Sequence, residues 1–224
     1  MKPLKSESQD AETLRELGSA SVQIVHDLKN QLNGLKLYAT FLRKRMEKNQ
    51  RPADEIETVG KLMAGLERAA ANMTLLVRYG RTVELQRLPG TDLVRLLSEA
   101  CGGDGAQLDA DDGAYAGDFD ATLLSEALKN ITAGGRVEAE TRGDGSEGES
   151  TVRVKLRREE AAGKSFAVVE WRGVTALDEE EDPFRSFAGG AGLRMALAAK
   201  VVRAHGGEVS HEGGVIRARL PIKK

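Results

Sequence analysis

The sequence predicts a helical hairpin that forms a dimeric four-helix bundle, followed by an α+β two-layer sandwich. Two long heptad repeats of apolar residues occupy most of the first 80 residues. A Pro89-Gly90 pair follows, after which helical patterns are interleaved with short runs of alternating polarity. Such a change of period is typical of a boundary between two folding units. We therefore expect a hairpin domain over residues 10–80 and a second domain over residues 88–224.

The first helix is indicated by apolar positions that step by alternating threes and fours, which places them along one helix face. After a polar stretch, Pro52 suits the start of a second helix with a seam of the same kind. The first seam comprises Leu14, Leu17, Ser21, Ile24, Leu28, Gln31, Leu35, Tyr38 and Leu42, and the second comprises Ile56, Val59, Met63, Leu66, Ala70, Met73 and Val77.

Two helices that each carry a long seam cannot cover both seams by touching only one another, whereas two hairpins together make a four-helix bundle. We therefore expect a homodimer. The alternative is that the hairpin packs on the C-terminal domain. In the homodimer, the bundle core would contain Ile24, Leu28, Leu35, Val59, Met63 and Leu66.

The second domain is expected to begin with a helix that Thr91 caps, and a further helix is indicated over residues 120–133. A glycine-rich turn then opens a helix from about residue 193 to residue 205. Helices interleaved with antiparallel strands predict a two-layer sandwich. The strand patterns cover residues 152–156, 166–171 and 215–220.

Composition excludes several classes of function. The formal net charge of −2 over 224 residues gives no bias toward nucleic acid. One cysteine, Cys101, and three histidines match no standard zinc spacing, so we expect no metal site and a reducing, cytoplasmic location. No apolar run reaches the length of a membrane span. Any sensory input is then expected from another protein, such as an upstream sensor, or from a region outside this chain.

One residue of the first helix, His26, is a candidate for a chemical role. With Ile24 and Leu28 in the seam, His26 lies on the outward face, beside Asp27 and one turn before Asn30. A nearby carboxylate can orient an imidazole, stabilise its positive form and accept a proton while the other ring nitrogen attacks phosphorus. An amide one turn away can position a water for hydrolysis. A lone histidine on a helix is more often a solvated surface residue.

The run from His26 to Leu32 resembles the H-box of bacterial sensor histidine kinases, in which a phosphorylated histidine is followed by an acidic residue and then by Thr or Asn. The resemblance implies that His26 is the phosphoacceptor, that Asp27 assists it and that Asn30 holds a hydrolytic water. In that family the box also lies on the outer face of a dimeric hairpin. Gln31 stands where the family usually has a proline that kinks the helix.

The resemblance extends to the family's ATP-binding domain, with Asn130 matching the first asparagine of its N-box. Gly190 and Gly192 match two glycines of the G2 box, which let backbone amides approach phosphates. Asp182 to Phe187 is similar to the F-box. Departures occur at Gly134, where a second asparagine would help to hold magnesium, and at Arg194, where a glycine is usual.

A further departure concerns adenine recognition. At the end of the strand that leads to the G1 box, Arg172 or Gly173 replaces the aspartate that receives the adenine amino group. Trp171 either fills part of the pocket or is a core aromatic residue. These losses imply a degenerate sandwich of the histidine-kinase ATPase type that has no cofactor, with Asn130, Gly190 and Gly192 as the remnant of a nucleotide site.

The sequence thus predicts a phosphorelay protein of the histidine phosphotransferase type, which exchanges a phosphoryl group between His26 and the receiver aspartate of a response regulator. One alternative is a soluble histidine kinase that autophosphorylates His26 from ATP with magnesium. The other is a non-enzymatic scaffold of a signalling partner. Nucleotide binding separates the first two, and phosphorylation of His26 separates both from the third.

Overall fold

The computed structural model describes residues 5–102, 106–141, 152–172, 182–185, 187 and 189–223, with side chains from residue 21 onward and, in the fourth helix, up to residue 134. The chain divides into two compact units, Met1–Thr82 and Val83–Lys224. Gly173 and residues 178–181 lie outside the described residues. In the part of the chain that the structure describes, no helix has both the length and the apolar character needed to cross a bilayer.

The first unit is an antiparallel hairpin of α1 (Lys5–Lys48) and α2 (Ala53–Gly80). Pro52 immediately precedes α2 in an extended conformation, as its fixed φ favours at a helix start. The two helices approach closely near the open end, where a Cβ added at Gly80 would lie 2.6 Å from Val22 Cγ2. Lys36 Nζ lies 2.8 Å from Glu67 Oε1, and this pair shows which residues of the two helices lie at the same level.

The two helices do not pack through the first predicted seam. A second stripe on α1 is the partly buried one, and it contains Val25, Leu32 and Ala39. Within the single chain Ile24 is 59% exposed and Leu28 is 40% exposed. The α2 seam is better covered, because Val59 is only 7% exposed. The first seam is therefore an apolar surface of the single hairpin, except that Leu14 and Leu17 lie outside the residues whose side chains are described.

The second unit contains a two-stranded sheet, β1 with β3, and a five-stranded sheet in the order β2-β4-β5-β7-β6. All neighbouring strands are antiparallel except β2 and β4, which are parallel. The elements are β1 (Leu88–Asp92), α3 (Leu93–Cys101), β2 (Gln107–Ala110), β3 (Ala116–Phe119), α4 (Ala121–Thr141), β4 (Arg153–Ala161), β5 (Lys164–Arg172), α5 (Gly189–Ala204), β6 (Glu208–Glu212) and β7 (Val215–Ile222).

One face of the larger sheet packs against α3, α4 and α5. Alternate residues of the three long strands point into this core, as the period of two requires, including Val169 and Ala218. Leucines of α3 and α4, such as Leu93 and Leu124, fill the space above them. This arrangement confirms the predicted two-layer sandwich, and the parallel pairing of β2 corrects the expectation of antiparallel strands alone.

The residue that caps α3 is Asp92, and the predicted cap, Thr91, is wrong. Asp92 Oδ1 accepts a hydrogen bond of 2.9 Å from the backbone N–H of Val94, which is the capping interaction. The Thr91 hydroxyl is turned away and lies 2.8 Å from the Leu88 carbonyl oxygen. Asp and Thr are both good caps, so the sequence does not distinguish between these two neighbours.

Candidate functional site

The His26 side chain is about half exposed on α1. Its Nδ1 atom lies 3.6 Å from Asp27 Oδ1 and 3.4 Å from Asn30 Nδ2. The described residues offer no partner to Nε2. The three residues that the sequence predicted are therefore brought together around one imidazole, with the second ring nitrogen left for a reacting group.

Gln23 is a member of this site that the sequence interpretation missed. Its Nε2 donates a hydrogen bond of 3.1 Å to Asp27 Oδ1. Gln23 lies one turn before Asp27, a spacing at which side chains on a helix meet. That spacing is the feature of the sequence from which Gln23 could have been predicted. The contact holds the carboxylate in place beside the ring.

The second predicted site comprises Asn130, Gly190 and Gly192, with a departure at Gly134. Asn130 is half-buried on α4. One turn later, a Cβ added at Gly134 would lie 2.5 Å from Met195 Sδ and 3.1 Å from Met195 Cγ. Met195 is almost fully buried on α5. Its side chain therefore fills the space into which an asparagine at position 134 would project.

Trp171 is a core residue and is completely buried. Its Nε1 donates a hydrogen bond of 3.0 Å to Thr132 Oγ1 on α4, so the indole joins the strand to the helix layer. Arg172, the next residue, points to the opposite face of the sheet. There Arg172 Nη2 lies 2.8 Å from the buried Glu170 Oε2. Arg172 thus lies on the face of the sheet away from the helices.

Glu170 is the centre of an ion-pair cluster on this outer face. Arg217 Nη2 lies 3.1 Å from Glu170 Oε1 and Arg157 Nε lies 3.6 Å from it. The hydrogen bond from Arg172 lowers the pKa of Glu170 against the effect of burial, and Arg217 acts in the same direction. The cluster neutralises a carboxylate that would otherwise be buried at high cost.

Gly190 and Gly192 lie within the first turn of α5, because that helix begins at Gly189 and not near residue 193. The glycine-rich turn that the sequence predicts before the helix is therefore part of the helix at Gly190 and Gly192. Arg194 is exposed on the second turn. These three residues lie together at the N-terminal end of α5, and Asn130 lies on α4, which packs against α5.

His205 is a buried structural residue at the end of α5. Its Nε2 accepts a hydrogen bond of 3.0 Å from the Asp120 backbone N–H, and Nδ1 lies 2.9 Å from the Val201 carbonyl oxygen. This pattern requires a neutral ring with the proton on Nδ1. Burial lowers the pKa of His205 below its ordinary value. Burial raises the pKa of Asp120, but N–H donors from Leu123 and Gln86 outweigh it and hold that pKa below its usual range.

The neutral state of His205 predicts a loss of stability in mild acid. In the unfolded chain this residue binds a proton below its ordinary pKa of about 6.5, whereas in the folded chain it does so only at a lower pH, so unfolding becomes easier as the pH falls through this range. Urea unfolding followed by fluorescence of Trp171, the one tryptophan of the chain, is expected to show a lower midpoint at pH 5.5 than at pH 7.5. His205→Gln keeps an acceptor and should flatten this dependence. The matched His211→Gln variant should retain it, and equal pH dependence in all three proteins would contradict the assignment.

Comparison with solved structures identifies chains of the same fold. The Acinetobacter baumannii histidine kinase AdeS gives a TM-score of 0.53 at 13% identity, over 84% of this chain and 96% of AdeS. Full-length ShkA, solved in complex with AMPPNP, gives 0.59 at 17% identity, over 90% of this chain and 45% of ShkA. The histidine kinase ThkA, solved in complex with the response regulator protein TrrA, gives 0.54 at 16% identity, over 98% of this chain and 66% of ThkA.

These similarities establish the fold of the chain. A helical hairpin followed by a sandwich with a mixed five-stranded sheet is the architecture that it shares with AdeS and ThkA. The predicted hairpin and the predicted sandwich of histidine-kinase type are thereby confirmed. No protein-family model matches the sequence, and no curated protein matches it.

Proposed function

We propose that the chain is a two-component phosphorelay protein that carries a phosphoryl group on His26 and exchanges it with the receiver aspartate of a response regulator. It acts in the cytoplasm as a homodimer, as a histidine phosphotransferase on the scaffold of a sensor histidine kinase. The observation that supports this most is the exposed imidazole whose Nδ1 faces Asp27 and Asn30 while Nε2 has no partner among the described residues.

In the proposed transfer, Nε2 of a neutral His26 attacks the phosphorus of an aspartyl phosphate. The nitrogen–phosphorus bond forms as the bond between phosphorus and the aspartate oxygen breaks, and the receiver carboxylate leaves with the electron pair. Positive charge develops on the ring, and Asp27 stabilises it or takes the Nδ1 proton. Gln23 holds Asp27 for this role. The reverse step returns the group to the receiver.

The surface around His26 offers a docking area for a receiver domain. Leu37 lies three turns from His26 on the same side of α1 and is 53% exposed. An exposed leucine on a polar face is suited to contact with an apolar patch of a partner. ThkA, which has the same fold, was solved in complex with a response regulator protein.

The homodimer is supported by the exposed first seam, in which Ile24, Leu28 and Leu35 lie in a row. Without a partner, this row of apolar side chains would remain exposed to water. The lack of a cofactor is supported by Met195 next to Gly134 and by the orientation of Arg172. Hydrogen bonds to charged or buried groups contribute about 1.5–3 kcal/mol each, so several losses together weaken ATP binding by orders of magnitude.

The proposal is tested with radiolabelled receiver domains encoded in the same genome. The chain is expected to take label from at least one phosphorylated receiver, whereas labelled ATP with magnesium gives none. Calorimetry should show ATP binding weaker than roughly 1 mM. Micromolar ATP binding with self-labelling would favour an active histidine kinase. Failure to exchange label with any receiver or with ATP would leave only a scaffold and would overturn the proposal.

Asn30 is proposed to assist removal of the phosphoryl group, because its amide lies within 3.4 Å of the imidazole and can orient a water. Asn30→Ala is expected to lengthen the lifetime of a phosphorylated receiver several-fold in mixtures with this protein. The lifetime is followed by loss of label from the receiver. Asn33→Ala, one turn further along the same helix, serves as the control. An unchanged lifetime with an active wild type would refute the role.

A further inference from the structure

The tip of the hairpin contains an open groove of about 580 Å³ between the end of α1 and the start of α2. Its floor is apolar and includes Leu42, Met46 and Val59. Two residues of opposite charge, Arg45 and Asp54, line its walls. Leu42 is 48% exposed, so the floor is open to water in the single chain.

The charges around this groove fall into two groups. Arg43 Nε lies 2.9 Å from Glu47 Oε1, and Arg51 Nε lies 2.9 Å from Glu55 Oε2. The first pair lies within α1, and the second joins the residue before Pro52 to the first turn of α2. Arg45 and Asp54 are exposed, and neither forms an ion pair with a described residue. The groove therefore presents one unpaired cation and one unpaired anion beside an uncovered apolar floor.

The groove is continuous with the exposed seam of α1. Leu42 follows Ile24, Leu28 and Leu35 in the same alternation of threes and fours, so one surface leads from the level of His26 to the tip. A partner that covers the seam must also enter the groove. The hairpin of a second copy has the length and the apolar seam to do so.

The register of the hairpin places the two unpaired charges at nearly the same height along the hairpin. Because Lys36 pairs with Glu67, Arg45 lies level with the second turn of α2. Asp54 lies about one turn, roughly 5.4 Å, nearer the tip. In a bundle whose two-fold axis runs along the helices, both tips lie at the same level. An arginine side chain can span one turn to the partner's Asp54.

We propose that the tip groove receives a second copy of this chain, and that Arg45 of each protomer pairs with the partner's Asp54 to select self over other helical hairpins. The inference deepens the proposed function, because it rests on the chain acting as a homodimer. An exposed ion pair adds little affinity, whereas a like charge at the same place repels a wrong partner. The pair thus acts mainly on specificity.

Complementary charge reversals test this arrangement. Arg45→Asp places two acidic residues at each site of its homodimer, and Asp54→Arg places two basic residues there. Each variant is expected to raise the dissociation constant of the homodimer at least roughly tenfold. An equimolar mixture restores both ion pairs, so native mass spectrometry should find the heterodimer as the main species. If Arg45 instead paired with Asp54 of its own chain, the mixture would show no preference for the heterodimer.

Lys44→Asp is the matched control, since it makes the same charge change on the neighbouring position outside the groove. It is expected to dimerise like wild type. Circular dichroism of each variant checks that the helices remain folded. Variants that dimerise as tightly as wild type, or a mixture without heterodimer above the statistical level, would overturn the ionic pairing while leaving the homodimer intact. A monomeric wild type would overturn the homodimer itself, whatever the outcome of label exchange with receivers.

Discussion

Replacing His26 with alanine is expected to abolish exchange of label with a phosphorylated receiver. In the proposed transfer the imidazole supplies the attacking Nε2, and alanine has no nucleophile to replace it. The label is followed as an acid-labile, alkali-stable phosphoryl group on the chain, which is the signature of phosphohistidine. A loss of at least a thousandfold, to the background of the assay, is the expected result for a missing nucleophile.

Two controls make this result specific. The His26 side chain is half exposed, so its removal leaves the hairpin packing intact and the helical circular dichroism unchanged. His211→Ala removes another histidine, on β6, and should exchange label at the wild-type rate. If the His26→Ala protein still accepted label at the wild-type rate, the phosphoacceptor would be a different residue.

Leu28→Asp is expected to dissociate the homodimer. Leu28 is exposed in the single hairpin, and the proposed dimer buries it together with its symmetry mate. The substitution would bury two unpaired charges per dimer, at a cost of several kcal/mol each. The dissociation constant should therefore rise by more than roughly a thousandfold, as measured by analytical ultracentrifugation across a dilution series.

Leu37→Asp is the matched control for this experiment. Leu37 is similarly exposed and lies on the same helix, but on the side of His26. The variant should remain dimeric and should exchange label with a receiver more slowly. A Leu28→Asp protein that sediments as a dimer with wild-type affinity would show that the seam has another role. A dimer lost equally in both variants would point to loss of helix stability.

The sequence predicted the hairpin well because heptad spacing is a property of the sequence itself. It did not separate the stripe that packs inside one hairpin from the stripe that stays exposed. Both have the same period, and only the approach of α2, permitted by Gly80, decides between them. Strands β1, β2, β3 and β6 were missed because each has only four or five residues, too few for a clear alternation.

In the candidate site, too, the contacts within one helix could be predicted from the sequence, whereas the contacts between elements could not. His26, Asp27 and Asn30 were found from a local motif, and their proximity follows from helix geometry. Met195 was not found, because its position beside Gly134 depends on how α5 packs against α4. The sequence alone does not decide whether Trp171 lies in a pocket or in the core. Successive side chains of β5 point to opposite faces of the sheet, so the Trp171 indole lies against the helices and Arg172 lies on the other face.

The position of β7 in the larger sheet bears on the order of events during synthesis. β7 is the last strand of the described chain, yet it lies inside the sheet, between β5 and β6. The sheet cannot close until β7 has left the ribosome, whereas α1 and α2 contact each other locally and precede it by more than a hundred residues. The hairpin can therefore form, and in the proposed homodimer pair with a second nascent hairpin, while the C-terminal unit is still incomplete. Chains shortened before β7 would retain the hairpin and lose the sandwich.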